Sequence, residues 1–273
     1  MVRNKNKNWF EEKYGFFGEF YYIADNSSEG PFSNQKITRE QRTENEIRMI
    51  YELLKLKKGD SLFDCPCGWG RHATQLAEKG INVFAIDLNK QYLQMFKESL
   101  QTKSESMQNR VEIKNCDMRN ISNHHTLYDF GINMFSSFGF FDDNENQKVA
   151  QNFYNLLKPN GKMLIHLDFN AQRILKGKEN DYAASRNIFH NNQQYTLDVK
   201  KSYCSDDKRL HGSWKLREES GKETTKYYCF RIYANDEIEI LLRQVGFKNI
   251  SFYSSKCQIQ TEEDLDTVIV VKK

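Results

Sequence analysis

The alternation of apolar and polar positions is sharpest between Ser61 and Asp87, where its period changes twice. A short apolar run, SLFD, ends at Asp64; the stretch CPCGWG follows; then RHATQLAEKG places Ala73, Leu76 and Ala77 on one face at helical spacing. Gly80 ends that helix, and Ile81 to Ile86 form a second apolar run with Asp87 at its tip. Strand, tight loop, helix, strand is the expected order, the opening βαβ unit of a parallel sheet. Upstream, Thr38 to Leu56 is predicted to be helical through Ile47, Ile50, Tyr51 and Leu54, with Thr38 as the cap or Thr43 and Glu46 as a capping box. Downstream, Leu88 to Met107 reads as one polar helix with Tyr92, Leu93 and Phe96 inward, and VEIKNCD as a third strand. YDFGINMFSSFGFF, residues 128 to 141, supplies a fourth strand and its exit loop. A helix from Asp142 and Asp143 through Leu157 follows, then a turn and a fifth strand in KPNGKMLIHLD.

Beyond Ala171 this rhythm stops. Gln194 to Tyr203, Lys208 to Arg217 and Glu223 to Tyr233 alternate apolar and polar residues around SDD and ESGK turns, which predicts an antiparallel meander. NDEIEILLRQVGF then reads as a helix capped by Asn235 and stopped by Gly246, and KNISFYS and LDTVIVVKK as two last strands. Those two complete a seven-stranded, mostly parallel sheet with one antiparallel hairpin. At the other end, residues 1 to 8 have nothing to bury and are expected to form a flexible tail, WFEEKYGFFGEFYYIAD a helix rich in aromatics, and NSSEGPFSN a loop.

The loop chemistry narrows the ligand. Gly68 and Gly70 permit positive φ and a close approach of ligand to backbone. GWGRHA also satisfies G-x-G-x-x-A, so a dinucleotide such as NAD enters consideration. A pyrophosphate, however, wants unpaired N–H groups and no carboxylate nearby. Here acids stand at three successive strand ends, Asp64, Asp87 and Asp117. They suit a ligand that is cationic and carries hydroxyls and amines, as S-adenosylmethionine does with its ammonium, sulfonium, ribose diol and adenine amine.

Taken in order, DCPCGWGRH, AIDLN, NCDMRN, NMFSSFGFFDD and LLKPNGKMLIHLD resemble the class I S-adenosylmethionine-dependent methyltransferases, in particular the stand-alone small-molecule enzymes. The likeness covers residues 40 to 170 and, less closely, the last GF-containing segment; Asn160 stands where a glycine is common. It implies an α/β, Rossmann-like seven-stranded sheet with helices on both faces, an inserted antiparallel β-meander and an N-terminal helical lid. The corresponding boundaries are a tail at 1–8, a lid at 9–57, a core at 58–170 and 234–273, and a substrate-covering insertion at 171–233. It implies a cofactor site at Asp64, Cys67, Gly68, Gly70, Arg71, Asp87, Leu88, Asp117, Met118, Asn133, Met134 and Phe135, with Tyr22 from the lid at the sulfonium. Asp87 is expected on the ribose and Asp117 on the adenine amine. Core filling is the plain alternative for Met118.

Methyl transfer from an activated sulfonium needs alignment more than acid–base chemistry. Asn133, His166 and Asp168 are the candidates for catalysis, and Ser137, Asn170, Trp214, Arg231 and Tyr233 for acceptor binding. Meander packing is the alternative for Trp214 and Tyr233, a surface ion pair for Arg231, and a structural strand histidine for His166. The acceptor is expected to be a small molecule or a peptide end offering nitrogen or oxygen rather than carbon, and the product S-adenosylhomocysteine. A nicotinamide-dependent oxidoreductase and a non-catalytic S-adenosylmethionine-binding protein remain as other readings.

Composition adds exclusions. A net charge of +3 over 273 residues gives no footprint for nucleic acid or a membrane surface. Cys65, Cys67, Cys116, Cys204, Cys229 and Cys257 contain no C-x-x-C pair, so no metal is expected. No run of 18 apolar residues and no apolar leader core in MVRNKNKNWF are present, and a mean hydropathy of −0.78 points to a polar surface; the expected location is the cytoplasm. Oligomeric state is not encoded in these patterns.

Overall fold

A computed structural model of the chain describes residues 8–25, 37–121, 126–177 and 181–273. The expected loop NSSEGPFSN and nearly all of the expected tail lie outside them. In chain order the strands are β1 (Ser61–Asp64), β2 (Asn82–Asp87), β3 (Val111–Asn115), β4 (Tyr128–Asn133), β5 (Leu157–Leu167), β6 (Asp181–His190), β7 (Gln193–Cys204), β8 (Arg209–Glu218), β9 (Glu223–Arg231), β10 (Lys248–Tyr253) and β11 (Thr267–Lys272). The helices are α1 (Glu19–Ala24), α2 (Arg39–Leu54), α3 (Arg71–Glu78), α4 (Lys90–Gln101), α5 (Glu105–Gln108), α6 (Asp143–Leu156), α7 (Ala171–Leu175) and α8 (Asn235–Val245). The chain divides into two compact units, one of residues 1–42 with 172–232 and one of residues 43–171 with 233–273.

The second unit carries a seven-stranded sheet in the order β10-β11-β5-β4-β1-β2-β3. All adjacent pairs are parallel except those made by β11, which runs against both β10 and β5. The fold is thus α/β with a mostly parallel sheet, as expected. β1 and β2 are buried along almost their whole length, which is why they read as unbroken apolar runs. Gly131 lets β4 lie under the Phe63 ring, where an added Cβ would come within 2.2 Å. That ring stacks on Phe153 of α6 at 5.7 Å. Strand order reverses between β1 and β4, so the crevice at the carboxyl ends of these two strands is the switch point.

The first unit holds the four-stranded antiparallel sheet β6-β7-β8-β9. Its N-terminal aromatics pack on that meander. Tyr21 stacks on Trp214 at 5.3 Å and 8°, Phe16 meets Trp214 at 5.3 Å and Tyr228 at 5.5 Å, and Trp9 Nε1 donates to the Cys229 carbonyl at 2.6 Å.

Four expectations change. The helix expected over Leu88–Met107 is two helices, α4 and α5, because Ser104 leaves the helical path with extended backbone, just after Thr102 caps α4 and donates through Oγ1 to the Ser99 carbonyl. The meander has a fourth strand, β6, whose residues are mostly exposed and show little apolar alternation. Asn235 does not cap α8; Ala234 occupies the N-cap and Glu237 Oε2 accepts from its N–H at 3.1 Å, while Asn235 bonds Gln260. The N-terminal aromatic stretch forms a 3-10 turn at Glu12–Tyr14 and one short helix, α1, instead of a continuous helix.

Candidate functional site

The site is built from the strand ends at the switch point. Asp64 closes β1, is fully buried, and neither carboxylate oxygen has a hydrogen-bond partner among the described residues. Burial pushes its pKa up to about 8; the Arg71 charge opposes this and Asp87 adds to it. An acid held this way stays largely protonated at neutral pH until a donor or cation arrives. The chain then turns through Cys67, whose N–H donates to the Ile86 carbonyl at 2.9 Å, and Gly68, at φ 56°. A Cβ on Gly68 would meet nothing within 4 Å, whereas one on Gly70 would strike the Phe96 ring at 2.3 Å. The two glycines therefore serve different ends: Gly70 seats the start of α3 on α4, and Gly68 leaves open space beside the acids.

Asp87, the last residue of β2, takes the Gly68 N–H on one oxygen at 2.7 Å and the Asn89 N–H on the other at 2.8 Å. Burial raises its pKa to about 6 against the pull of those amides. Leu88 beside it is exposed. Cys67 is buried and its thiol is pushed well up by burial, so it is no nucleophile. At the end of β3, Asp117 accepts from the Arg119 N–H at 2.8 Å and from its guanidinium at 2.7 Å, while the buried Met118 offers its carbonyl to Asn152.

The exit of β4 completes the arrangement. Asn133 is fully buried, gives its amide N–H to the Cys65 carbonyl at 2.8 Å, and leaves Oδ1 without a partner among the described residues. Met134 is buried, and Phe135 and Ser136 both adopt left-handed backbone, φ 57° and 53°. Two successive non-glycine residues in that region store strain of the kind that clusters at functional sites. Ser136 hydroxyl and Asp168 carboxylate are bonded to one another, and the Asp168 N–H returns to Ser136 Oγ at 2.9 Å. Ser137 donates to the Met134 carbonyl at 2.8 Å.

One cluster escaped the sequence reading. Arg71 donates to Glu46 and to Thr43 Oγ1 (2.9 Å), and His72 Nε2 meets the same Glu46 oxygen at 2.8 Å. The Phe135 ring lies under the Arg71 guanidinium at 4.4 Å, near the His72 ring at 6.2 Å, and edge-on to His166 at 5.4 Å. Burial and the Arg71 charge drive His72 down to about 4, so it is neutral at physiological pH despite Glu46. Glu46 and His72 were invisible as partners because they lie 26 positions apart on helices whose local patterns explain both.

Tyr22, Trp214 and Arg231 belong to the first unit. Tyr22 is edge-on to His190 under the Arg39 guanidinium, Trp214 is in the aromatic stack, and Arg231 donates to the Ile232 carbonyl. Tyr233 donates to Asp143 at 2.7 Å and accepts from Asn146 at 2.9 Å. Asn170 ties down the Thr261 and Asp264 carbonyls at 3.0 and 2.9 Å. The structure thus joins Gly68 to Asp87 by a hydrogen bond, links Arg71, Phe135 and His166 through ring contacts, sets Asp64 and Asn133 at the ends of the neighbouring strands β1 and β4, and gives Tyr233 and Asn170 anchoring bonds within the sheet unit.

The unsatisfied atoms decide what fits. The buried oxygens of Asp64 and Asn133 are acceptors, and a phosphate brings neither cation nor donor to satisfy them. The ammonium, ribose and adenine amine of S-adenosylmethionine bring both. The fold, with its reversed strand β11, is that of a class I S-adenosylmethionine-dependent methyltransferase, and S-adenosylmethionine is the cofactor. Residues 10–220 match the family described as mycolic acid cyclopropane synthetase, and the chain belongs to that family. A probable fatty acid methyltransferase of Mycobacterium tuberculosis is 29% identical over 91 residues, 33% of this chain and only 21% of that protein. A glycine/sarcosine N-methyltransferase of Aphanothece halophytica is 22% identical across 85% of this chain and 83% of its own length. Among solved structures, the CcbJ methyltransferase of Streptomyces caelestis shares the fold with a TM-score of 0.73 at 14% identity, covering 91% of this chain and 95% of that one. A methyltransferase of Clostridium acetobutylicum gives 0.69 at 17% identity, covering 84% and 91%. No helix among the described residues is long and apolar enough to cross a membrane.

Proposed function

We propose that this chain methylates an amine nitrogen of a small molecule, with Asp64 holding the cofactor's ammonium and His166 accepting the acceptor's proton. The observation that carries the reading is the fully buried Asp64 carboxylate without a hydrogen-bond partner, beside the open space over Gly68. When bound, the cofactor supplies a methyl group already activated by its positive sulfur. The residues then orient and exclude water. Asp87 receives the ribose hydroxyls in place of, or beside, the Gly68 and Asn89 amides; Asp117 and Met118 line the adenine. Asn133 Oδ1 and the strained Phe135–Ser136 turn border the reacting carbon. His166, through the Nδ1 that has no partner among the described residues, would take the proton that the amine sheds on methylation. Asp168, with Ser136, holds the loop and would accept a hydrogen bond from the N–H of an amine acceptor.

The long alignment with a glycine/sarcosine N-methyltransferase supports nitrogen as the acceptor atom. A lipid carbon is the second reading, supported by the family's description and by the fatty acid methyltransferase match. The test is release of S-adenosylhomocysteine from S-adenosylmethionine with sarcosine, an amino sugar and an unsaturated phospholipid as parallel acceptors. Turnover confined to the amines supports the reading; turnover on the phospholipid alone replaces it with the second; NAD(H) binding without S-adenosylhomocysteine binding removes both.

A further inference from the structure

His166 has its two ring nitrogens in different situations. Nε2 faces Asp266 Oδ2 at 3.4 Å, while Nδ1 is buried with no hydrogen-bond partner among the described residues. Asp266 sits immediately before β11, the strand that pairs with β5 and sets Val268 opposite His166. Its carboxylate is itself held, since Oδ1 accepts the Ser255 N–H at 3.2 Å, and its backbone carbonyl accepts from Gln260 at 3.1 Å. The histidine is fixed from the other side as well: its carbonyl takes the Ser136 N–H at 2.9 Å and its ring lies edge-on to Phe135. A neutral imidazole donates from one nitrogen and accepts at the other, and the partner of the first decides which is which.

We propose that Asp266 is the positioning residue of this site: it holds the His166 Nε2–H, fixes that tautomer, and leaves the Nδ1 lone pair for the proton shed by the acceptor. The inference rests on the reading of His166 as proton acceptor. The charged and titratable groups around the ring are Asp266, Glu46 from α2, Asp168 beyond β5 and His72 from α3. Burial alone would lower the pKa of His166; the Asp266 bond and charge, helped by Glu46 and Asp168, override it and raise the group above its ordinary value. The same pairing, against burial, holds Asp266 below the usual carboxylate range. An imidazole strengthened in this way is better matched to proton abstraction near neutral pH.

The experiment is an imidazole 15N spectrum of the full chain against pH, which needs no acceptor. Wild-type His166 is expected as the single Nε2–H tautomer above its titration. In Asp266→Asn the titration moves to lower pH and the tautomers mix; Asp266→Glu restores both toward wild type. An Asp266→Asn protein with wild-type melting and S-adenosylhomocysteine affinity, yet unchanged titration and tautomer, overturns the proposal. Should that variant fail to fold, a wild-type spectrum showing Nδ1–H overturns it directly. The underlying reading fails separately: His166→Gln retaining full turnover removes the proton acceptor while leaving the spectra as predicted.

Discussion

Burial of Asp64 costs the ligand-free protein stability, which a cofactor bound in the proposed way would restore. A carboxyl with a folded pKa of about 8 and an ordinary value of 3.8 binds more protons folded than unfolded between those limits, so it weakens the fold as pH rises through that window. Asp64→Asn is accordingly expected to raise the melting temperature of the ligand-free protein at pH 8 while weakening S-adenosylhomocysteine binding by about 1.5–3 kcal/mol, the range for a hydrogen bond to a charged group. Melting curves and calorimetric titration read the two effects on the same sample. Ionisation also links binding to protons. With the carboxyl protonated beforehand and ionised in the complex, affinity climbs between pH 6 and 8, and titrations at pH 7 in buffers of different ionisation enthalpy show a proton released. An affinity flat across that range, with a heat independent of buffer, speaks against this role for Asp64.

At the scale of elements, the glycine loop separates packing from binding. Gly70→Ala drives a methyl into Phe96 at a left-handed φ of 78° and is expected to destabilise the fold by well over 1 kcal/mol, beyond the backbone cost alone. Gly68→Ala meets no neighbour within 4 Å, so its stability loss stays near the roughly 1–2 kcal/mol of the backbone term, yet its methyl would enter the space proposed for the ligand. Denaturant unfolding and calorimetry should therefore rank the two variants in opposite orders. At the start of α8, Ala234→Ser supplies the side-chain acceptor that Ala234 lacks opposite Glu237, and a gain of about 1 kcal/mol in chemical denaturation is expected. These elements also show what the sequence reveals. β1, α3 and β2 were legible because burial on both strand faces and one helix face leaves a pattern of its own. β6 was not, since an edge strand with a single buried residue has no such pattern. Asp64 and Asp87 were legible as strand-end acids; Glu46, His72 and Asp266 were not, because their partners lie on other elements far along the chain and only folding pairs them.

The molecule as a whole is assembled from interrupted segments. Residues 1–42 share a unit with 172–232, and residues 43–171 share the other with the final stretch from Tyr233. Neither unit is continuous: the sequence reading splits the core around the insertion but treats the N-terminal stretch as a separate lid, whereas the contacts join residues 1–42 to 172–232. Strand order sharpens the point: β11, residues Thr267–Lys272, lies between β10 and β5. During synthesis β10 thus has no neighbour in the sheet, and Asp266 cannot reach His166, until Thr267–Lys272 has left the ribosome. A nascent chain stalled short of Thr267 leaves the β10 and β5 edges open to chaperones, so the two sides of the sheet meet only after the whole stretch between them has been made.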